Sequence, residues 1–447
     1  MAAPALAPQP QTPRKKVGLL ALTAILYFTV SGGPFGLEPA IGAAGPLLAV
    51  ALIVLVPVLS AFPTAFMVAE LSAAMPVEGG FYRWVDRAMG RAWGFQEAWW
   101  SFICALPDMA IYPVLFTAYA DQWLHLSRMG KFGVSLAVIW FGTALNILGV
   151  SAVGTTAVIS GVLVIAPFAV FTAMGFHAPA GGAIVWSTSP ATQGGFLAAL
   201  SIVLWNYTGF DNLSLVGGEV DKPERNYPIA LIGGLALILA TYLGPLLAGL
   251  RLSPDPAGWS EGVFPSLAKS LPGGATLAAW LLAGALVSTF TLFNSLMLSY
   301  SRLPMVLAED GYFPPFMARV NSRGVPVATL VVSSLFYSVL ALLSYQRLAV
   351  LYALVYTLSI VLEFIALWIL RRREPDMPRP FRVPGGQAGL VYTVVVPLIV
   401  SGVVVGSTLW EGVKEPQWLV LALAAAISGW PAWLLLKGRG KIGTTSA

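Results

Sequence analysis

The chain has 447 residues, 57% of them hydrophobic and only 10% charged, with a mean hydropathy of +0.79. A soluble domain carries about 25% charged residues, so the composition excludes a soluble enzyme or binding module and predicts an all-α integral membrane protein. The net charge of +5 needs no nucleic acid as partner; it is expected to form a basic collar against the anionic lipid of the bilayer.

The first segment, 1–13, is rich in Ala, Pro and Gln and reads as a disordered cytoplasmic N-terminus. The apolar run after it has no small-residue cleavage pattern and reads as a retained span. At about 20 apolar residues per crossing, twelve transmembrane helices are expected. Their limits are 17–45, 46–74, 92–120, 131–149, 152–176, 195–218, 228–250, 276–302, 325–344, 348–370, 388–410 and 416–436. The connections are too short for a separate soluble domain. With the N-terminus in the cytoplasm, 19 of the 25 Lys and Arg residues fall on the inner side, which predicts both termini inside a cell membrane. The single cysteine, Cys104, excludes a disulfide framework or thiolate cluster. The two histidines, His125 and His177, fall in predicted loops, which argues against a histidine-based site, and no cofactor is expected.

Two spans are interrupted. The first carries SGGPFG at 31–36, and the sixth carries NYTGFDN at 206–212 followed by GGE at 217–219. Each break alone is explained by a bend. Their spacing says more, because spans one and six open two five-helix sets. Broken helices at matching positions of two halves point to an inverted-repeat secondary transporter. The freed N–H and C=O groups are tolerable at that depth only where a ligand, an ion or water takes them up.

Acids within the spans sharpen the expectation, since a charged group deep in a bilayer costs about 2.5–3.5 kcal/mol on insertion scales. Glu38 follows the first break, Asp108 is near the middle of span three, and Asp211 is in the second break. No basic residue is expected at the same depth, so a proton or a mobile cation must balance these groups. A cationic amine fits: its ammonium groups meet carboxylates, and aromatic faces add cation–π contact. Phe35, Tyr112, Trp205, Tyr207 and Phe210 supply those faces on the same helices. Glu70 and Glu97 read as structural or gating residues near the inner face, and Glu363 as a residue that snorkels or pairs near Arg371, Arg372 and Arg373.

SGGPFG with the following IGAAGPL, the stretch EGGFYRWVDRAMGRAWGFQEAWW at 78–100, and GFDNLSLVGGEVDKPERNYPIAL at 209–231 resemble the amino acid–polyamine–organocation superfamily of permeases. Within it, SGGPFGLEPAIGAAGPLLA, DMAIYPVLF at 108–116 and LWNYTGFDNLSLVGGEV at 204–220 resemble the polyamine uptake transporters of plants and protists and the bacterial permeases grouped with them. The resemblance implies a LeuT-type core: a first repeat over 14–176, a second over 177–373, two added helices over 374–437, and a cytoplasmic tail at 438–447. It implies a substrate site between helices one, three, six, eight and ten. It further implies a cytoplasmic gate in which Glu219 pairs with a basic residue of the 83–91 loop, such as Arg83 or Arg87.

The expected function is therefore import of cationic amines, such as putrescine or spermidine, by alternating access. The alternative is an amino acid permease, symporter or exchanger, whose substrate carboxylate would rest on the amides of Ser31, Gly32 and Gly33. Span five lacks the lysine that stands in for sodium in some proton-coupled members. A coupling proton on Glu38 is favoured over a sodium ion held by Ser288 and Thr289. A sensor is disfavoured by the lack of a signalling domain, and an enzyme by the lack of a metal spacing or a nucleophile–base pair in the spans.

Overall fold

A computed structural model describes residues 16–179, 182–186, 193–253, 258–260, 262–343, 345–412 and 416–438. The expected disordered segment 1–13, and the tail beyond residue 438, lie outside the described residues. Those that are described form no β-strand, only isolated bridges between Val17 and Val220 and between Glu78 and Val216. Helices dominate because in lipid each backbone polar group must find its partner within the chain.

In order, the helices are α1 (Leu19–Val30), α2 (Glu38–Val56), α3 (Phe62–Ala74), α4 (Gly80–Met89), α5 (Arg91–Leu124), α6 (Arg128–Ile147), α7 (Val150–His177) and α8 (Gln193–Trp205). They continue as α9 (Pro223–Leu252), α10 (Val263–Ala268), α11 (Gly274–Tyr300), α12 (Arg302–Glu309), α13 (Val327–Leu340), α14 (Tyr345–Arg373), α15 (Gly386–Gly412) and α16 (Pro416–Leu436). Nine stretches of the described residues are long and apolar enough to cross a membrane, while α1 and α13 are shorter apolar helices. The chain is a multi-pass membrane protein. The expected limit between the first two spans falls at Gly45, whose φ of 79° and ψ of 162° break α2 just before Pro46. Connections expected to be plain loops contain helices: α4 is amphipathic and buries Phe81, Trp84 and Val85, and α12 follows α11 after one residue. His177, expected in a loop, ends α7, and its ring nitrogen lies 2.8 Å from the Ala173 carbonyl.

Burial sorts the helices. The apolar windows of α5 and of the α11–α12 run are 61% buried and that of α14 is 67%, against 28% for α15 and 17% for α16. The first three form the interior. The last two turn exposed apolar faces such as Ile399 and Ile427 outward, which suits contact with lipid tails. α1 packs on α7, α9 and α11, and α8 packs on α2, so both interrupted helices end inside the bundle. The two breaks touch: Gly209 has φ +101°, and a Cβ there would lie 2.4 Å from the Thr29 carbonyl oxygen.

One end of the bundle, marked by α4 and α12, is laced by ion pairs. Glu70 of α3, fully buried, meets the Arg371 guanidinium at 2.5 Å and that of Arg379 at 3.1 Å, and accepts the Val383 N–H at 2.8 Å. Glu219 pairs with Arg302 at 2.6 Å, both almost fully buried. This corrects the expectation that Glu219 pairs with the 83–91 loop. The turn Gly217–Glu219 tucks beneath the end of α11, where Arg302 reaches it. α4 buries its apolar face, so its arginines point away: Arg83 pairs with Asp310 at 2.7 Å and Arg87 with Glu374 at 2.7 Å. Val17 seals the same end, donating its N–H to the Glu219 carbonyl at 2.9 Å and accepting that of Asp221 at 3.0 Å.

Two outcomes follow from this packing. Arg302→Ala strands a buried carboxylate and should lower stability by about 3–5 kcal/mol, whereas Arg87→Ala, in a solvent-exposed pair, should cost about 0–1 kcal/mol; thermal unfolding of the two variants in detergent checks the contrast. Gly209→Ala forces a side chain into a left-handed backbone against the Thr29 carbonyl, and should cost on the order of 1–3 kcal/mol, read in the same assay.

Candidate functional site

The first break begins where the Ser31 backbone turns extended, with φ −136° and ψ 138°. Its freed groups are met locally. The Ser31 N–H donates to the Tyr27 carbonyl at 2.7 Å, and the Gly33 N–H to the Ser31 hydroxyl at 3.1 Å. The Gly36 N–H donates to a Glu38 carboxylate oxygen at 2.6 Å. Glu38 is wholly buried at the start of α2, where a carboxylate suits the positive end of the helix dipole. From α11, the Ser288 hydroxyl donates to the Gly32 carbonyl at 2.5 Å. A Cβ added at position 32 would lie 2.1 Å from that hydroxyl, so the Ser288 side chain would have to move to admit it.

The second break runs from the end of α8 at Trp205 into the 3-10 turns Asp211–Leu215 and Gly217–Glu219. Tyrosines take up its carbonyls: Tyr242 donates to Asn206 at 2.7 Å and Tyr227 to Leu213 at 2.9 Å, both from α9. Tyr356 of α14 donates to the Asp211 carboxylate at 2.9 Å and accepts the Gly209 N–H at 3.4 Å. Asp108 lies in α5 between Pro107 and Pro113. Its two oxygens accept from Tyr300 at 3.1 Å and Tyr112 at 3.4 Å.

A cavity of about 160 Å³ opens between the two breaks, α5 and α11. Gly32, Phe35, Asp108, Tyr112, Trp205, Ser288 and Thr289, seven of the residues singled out in the sequence, line it. No lysine, arginine or histidine is among its described lining residues. Leu115, Leu292 and Leu296 give it an apolar wall. A second cavity of about 240 Å³ adjoins it toward α14 and α15, with Trp205, Thr208 and Tyr352 shared between the two and Tyr207 and Tyr356 on the far side.

Other candidates sit behind these walls. Ser31 and Phe210 are buried at the breaks, and Gly33 backs onto Val164. Asp211 opens the 3-10 turn of the second break, next to the lining residue Asn212 and held by Tyr356, and Glu38 is next to the lining residue Pro39. Phe35 rests edge-on against Phe168, with ring centroids 4.9 Å apart. Thr289 donates to the Ala285 carbonyl one turn back at 2.9 Å. Glu219 and Arg302 lie at the α4 end, away from the cavity. There the Arg87 hydrogen bond holds the Glu374 carboxyl below the usual carboxylate range.

Sequence reasoning missed Tyr300, Tyr352 and Tyr356, which position or flank the acids. Tyr352 and Tyr356 stack with ring centroids 5.1 Å apart. Their spacing of four residues puts them on one helix face, a signal readable only once α14 is known to face the second break. Glu363, expected to snorkel or pair near Arg371, Arg372 and Arg373, is wholly buried and neither oxygen has a hydrogen-bond partner among the described residues.

A buried carboxylate, ring faces and no described base in the lining thus make a cavity suited to hold a small cation. Comparison with known proteins agrees with the architecture. The family model described as "Amino acid permease" matches residues 17–429. The polyamine transporter PUT1 of Oryza sativa subsp. japonica is 36% identical over 408 residues, covering 90% of this chain and 76% of that protein. The polyamine transporter RMV1 of Arabidopsis thaliana is 33% identical over 399 residues, covering 88% and 81%. A more distant relative, the uncharacterized transporter lpg1691 of Legionella pneumophila, is 26% identical over 377 residues, covering 77% of this chain and 80% of that protein. The chain belongs to the amino acid permease family, within the amino acid–polyamine–organocation superfamily, and is a transporter and not an enzyme.

Proposed function

We propose that the chain imports polyamines such as putrescine or spermidine across the plasma membrane by alternating access, coupled to protons. The observation that carries this reading is the Asp108 carboxylate, exposed to a cavity whose described lining has aromatic rings and no fixed cation. An ammonium group at Asp108 gains a charge-assisted contact, and Tyr112 and Trp205 offer ring faces to it. The methylenes between amines meet the leucine wall, and a longer amine reaches Tyr207 in the adjoining cavity. The names of PUT1 and RMV1 agree with this substrate class.

The amino acid reading is less well served. A substrate carboxylate would rest on the amides of Ser31, Gly32 and Gly33, yet two of these, Ser31 and Gly33, already donate within the chain. A proton is preferred to sodium because a wholly buried acid, Glu38, stands beside the cavity; the Ser288 and Thr289 hydroxyls donate to backbone carbonyls and keep their oxygen lone pairs. In this reading Glu38, beside the outer part of the cavity, is the acid through which a proton enters.

We assign twelve crossings, counting α1 with the start of α2, and α8 and α13 with the nine longer stretches. They group as two five-helix repeats over 14–176 and 177–373, with two further helices over 374–437. The α4 end is the cytoplasmic side, since the Lys and Arg excess lies there, and both termini share it. The Glu219–Arg302 pair is then part of the inner closure, with the surface pairs of Arg83 and Arg87 around it.

Uptake of labelled putrescine, spermidine, arginine and alanine into proteoliposomes, with pH and sodium gradients imposed separately, tests the reading. Putrescine and spermidine should accumulate on an inward proton gradient; strong alanine uptake with no competition by polyamine sinks the substrate assignment. Asp108→Asn removes a hydrogen-bonded charge worth about 1.5–3 kcal/mol, so putrescine uptake should fall about tenfold or more. Asp211→Asn should act in the same direction. Normal uptake by both variants, with normal insertion, would make those acids structural.

A further inference from the structure

Four glutamates are fully or almost fully buried toward the α4 end of the bundle, and they fall into two kinds. Glu70 and Glu219 are each matched by arginine. Glu97 of α5 and Glu363 of α14 have no such match. Both are 0% exposed. Ser101 donates to one Glu97 oxygen at 3.0 Å. The other Glu97 oxygen and both oxygens of Glu363 have no hydrogen-bond partner among the described residues. The helices that carry them pack against each other, and the two carboxyl groups are close enough for their charges to act on one another and on Asp211. Neither lines the cavities described above.

We propose that Glu97 and Glu363 form the site that carries the coupling proton, on the inner side of the substrate cavity. This rests on the transporter reading above and names a site for its coupling ion that is distinct from Glu38. The physical ground is the cost of buried charge. An isolated carboxylate in a low-dielectric interior is penalised by several kcal/mol and takes up a proton in preference. Two carboxylates within range of each other cannot both stay ionised at that depth. At Glu70 and Glu219 an arginine settles the balance permanently. At Glu97 and Glu363 a proton settles it, and a proton can leave.

The surroundings favour that exchange. From α5 the groups facing the pair are the Cys104 thiol and, further out, Asp108; the second break brings Asp211, and α14 itself brings Tyr356. All are neutral or acidic. The bases on the α3 side, Arg371 and Arg379, are committed to Glu70. The arginines of α4 are committed to Asp310 and Glu374. On α15, the Tyr392 hydroxyl turns to the Val58 carbonyl, and α16 has no ionisable side chain. A proton on the pair is therefore held by the carboxyl groups alone. It is released when the Glu219–Arg302 closure parts and water reaches it.

Glu97→Gln and Glu363→Gln mimic the protonated state without allowing exchange. Two measurements on the full-length chain test the site. In the first, labelled putrescine is exchanged for unlabelled putrescine across proteoliposomes at equal pH, and then driven by an inward proton gradient. Both variants should keep exchange and lose the acceleration that the gradient gives the wild type; unchanged acceleration in both overturns the proposal. Absence of putrescine exchange in the wild type itself would fail the transporter reading and leave the second measurement to decide. That measurement is the infrared carbonyl stretch of protonated carboxylic acid in purified protein at neutral pH, which needs no substrate. The band should be present in the wild type and weaker in the double variant Glu97→Gln/Glu363→Gln, since either acid left alone at that depth still takes up the proton. A band of unchanged strength in the double variant means the pair holds no proton, and the proposal is overturned.

Discussion

The demand that backbone hydrogen bonds be met inside lipid governs this molecule. Two helices stop within the bundle, and almost every group they release has a named partner. The Ser31 hydroxyl and the Glu38 carboxylate serve amides of the first break, and tyrosines from α9 and α14 serve the second. The breaks are close enough that the Gly209 backbone rests on the Thr29 carbonyl. Where the two unwound stretches meet, the helix walls part, and the cavity lies in that gap.

Charge is distributed by function along the bundle. At the α4 end each of Glu70, Glu219, Asp310 and Glu374 has its arginine. In the middle, acids occur with tyrosine hydroxyls in place of bases: Tyr300 and Tyr112 on Asp108, Tyr356 on Asp211. A tyrosine stabilises a carboxylate without neutralising it. The net negative character toward a visiting cation is kept while the desolvation cost is reduced. Arginine at these positions would close the same account permanently and leave nothing for a substrate to balance. Glu97 and Glu363, between these two zones, have neither arginine nor tyrosine on their open oxygens.

The membrane class, most of the span limits and both breaks were legible in the sequence because they depend on local properties. Runs of about 20 apolar residues read directly as crossings, and Gly and Pro within such runs read as interruptions. The Gly45–Pro46 limit between the first two spans was visible for the same reason. Asp108 stood out as an acid near the middle of an apolar span, Trp205 by its place beside the second break, and Ser288 and Thr289 as hydroxyls of span eight that could ligate a sodium ion. The amphipathic α4 was missed because its apolar face is short and its charged residues read as loop.

Which acid pairs with which base was beyond the sequence. Arg83, Arg87 and Arg302 are all near the inner ends of spans, and all are plausible partners for Glu219 on linear grounds. The rotation of α4, set by burial of Phe81, Trp84 and Val85, turns the first two away and leaves Arg302. The same holds for Tyr356 with Asp211, 145 residues apart, and for Glu363, whose distance from Arg371 along one helix suggested a pairing that packing against α5 rules out. A helix fixes the direction of its own side chains from sequence alone. What stands opposite is fixed only when another helix is packed against it, and in this protein that choice decides which charges are locked and which remain open to a mobile cation.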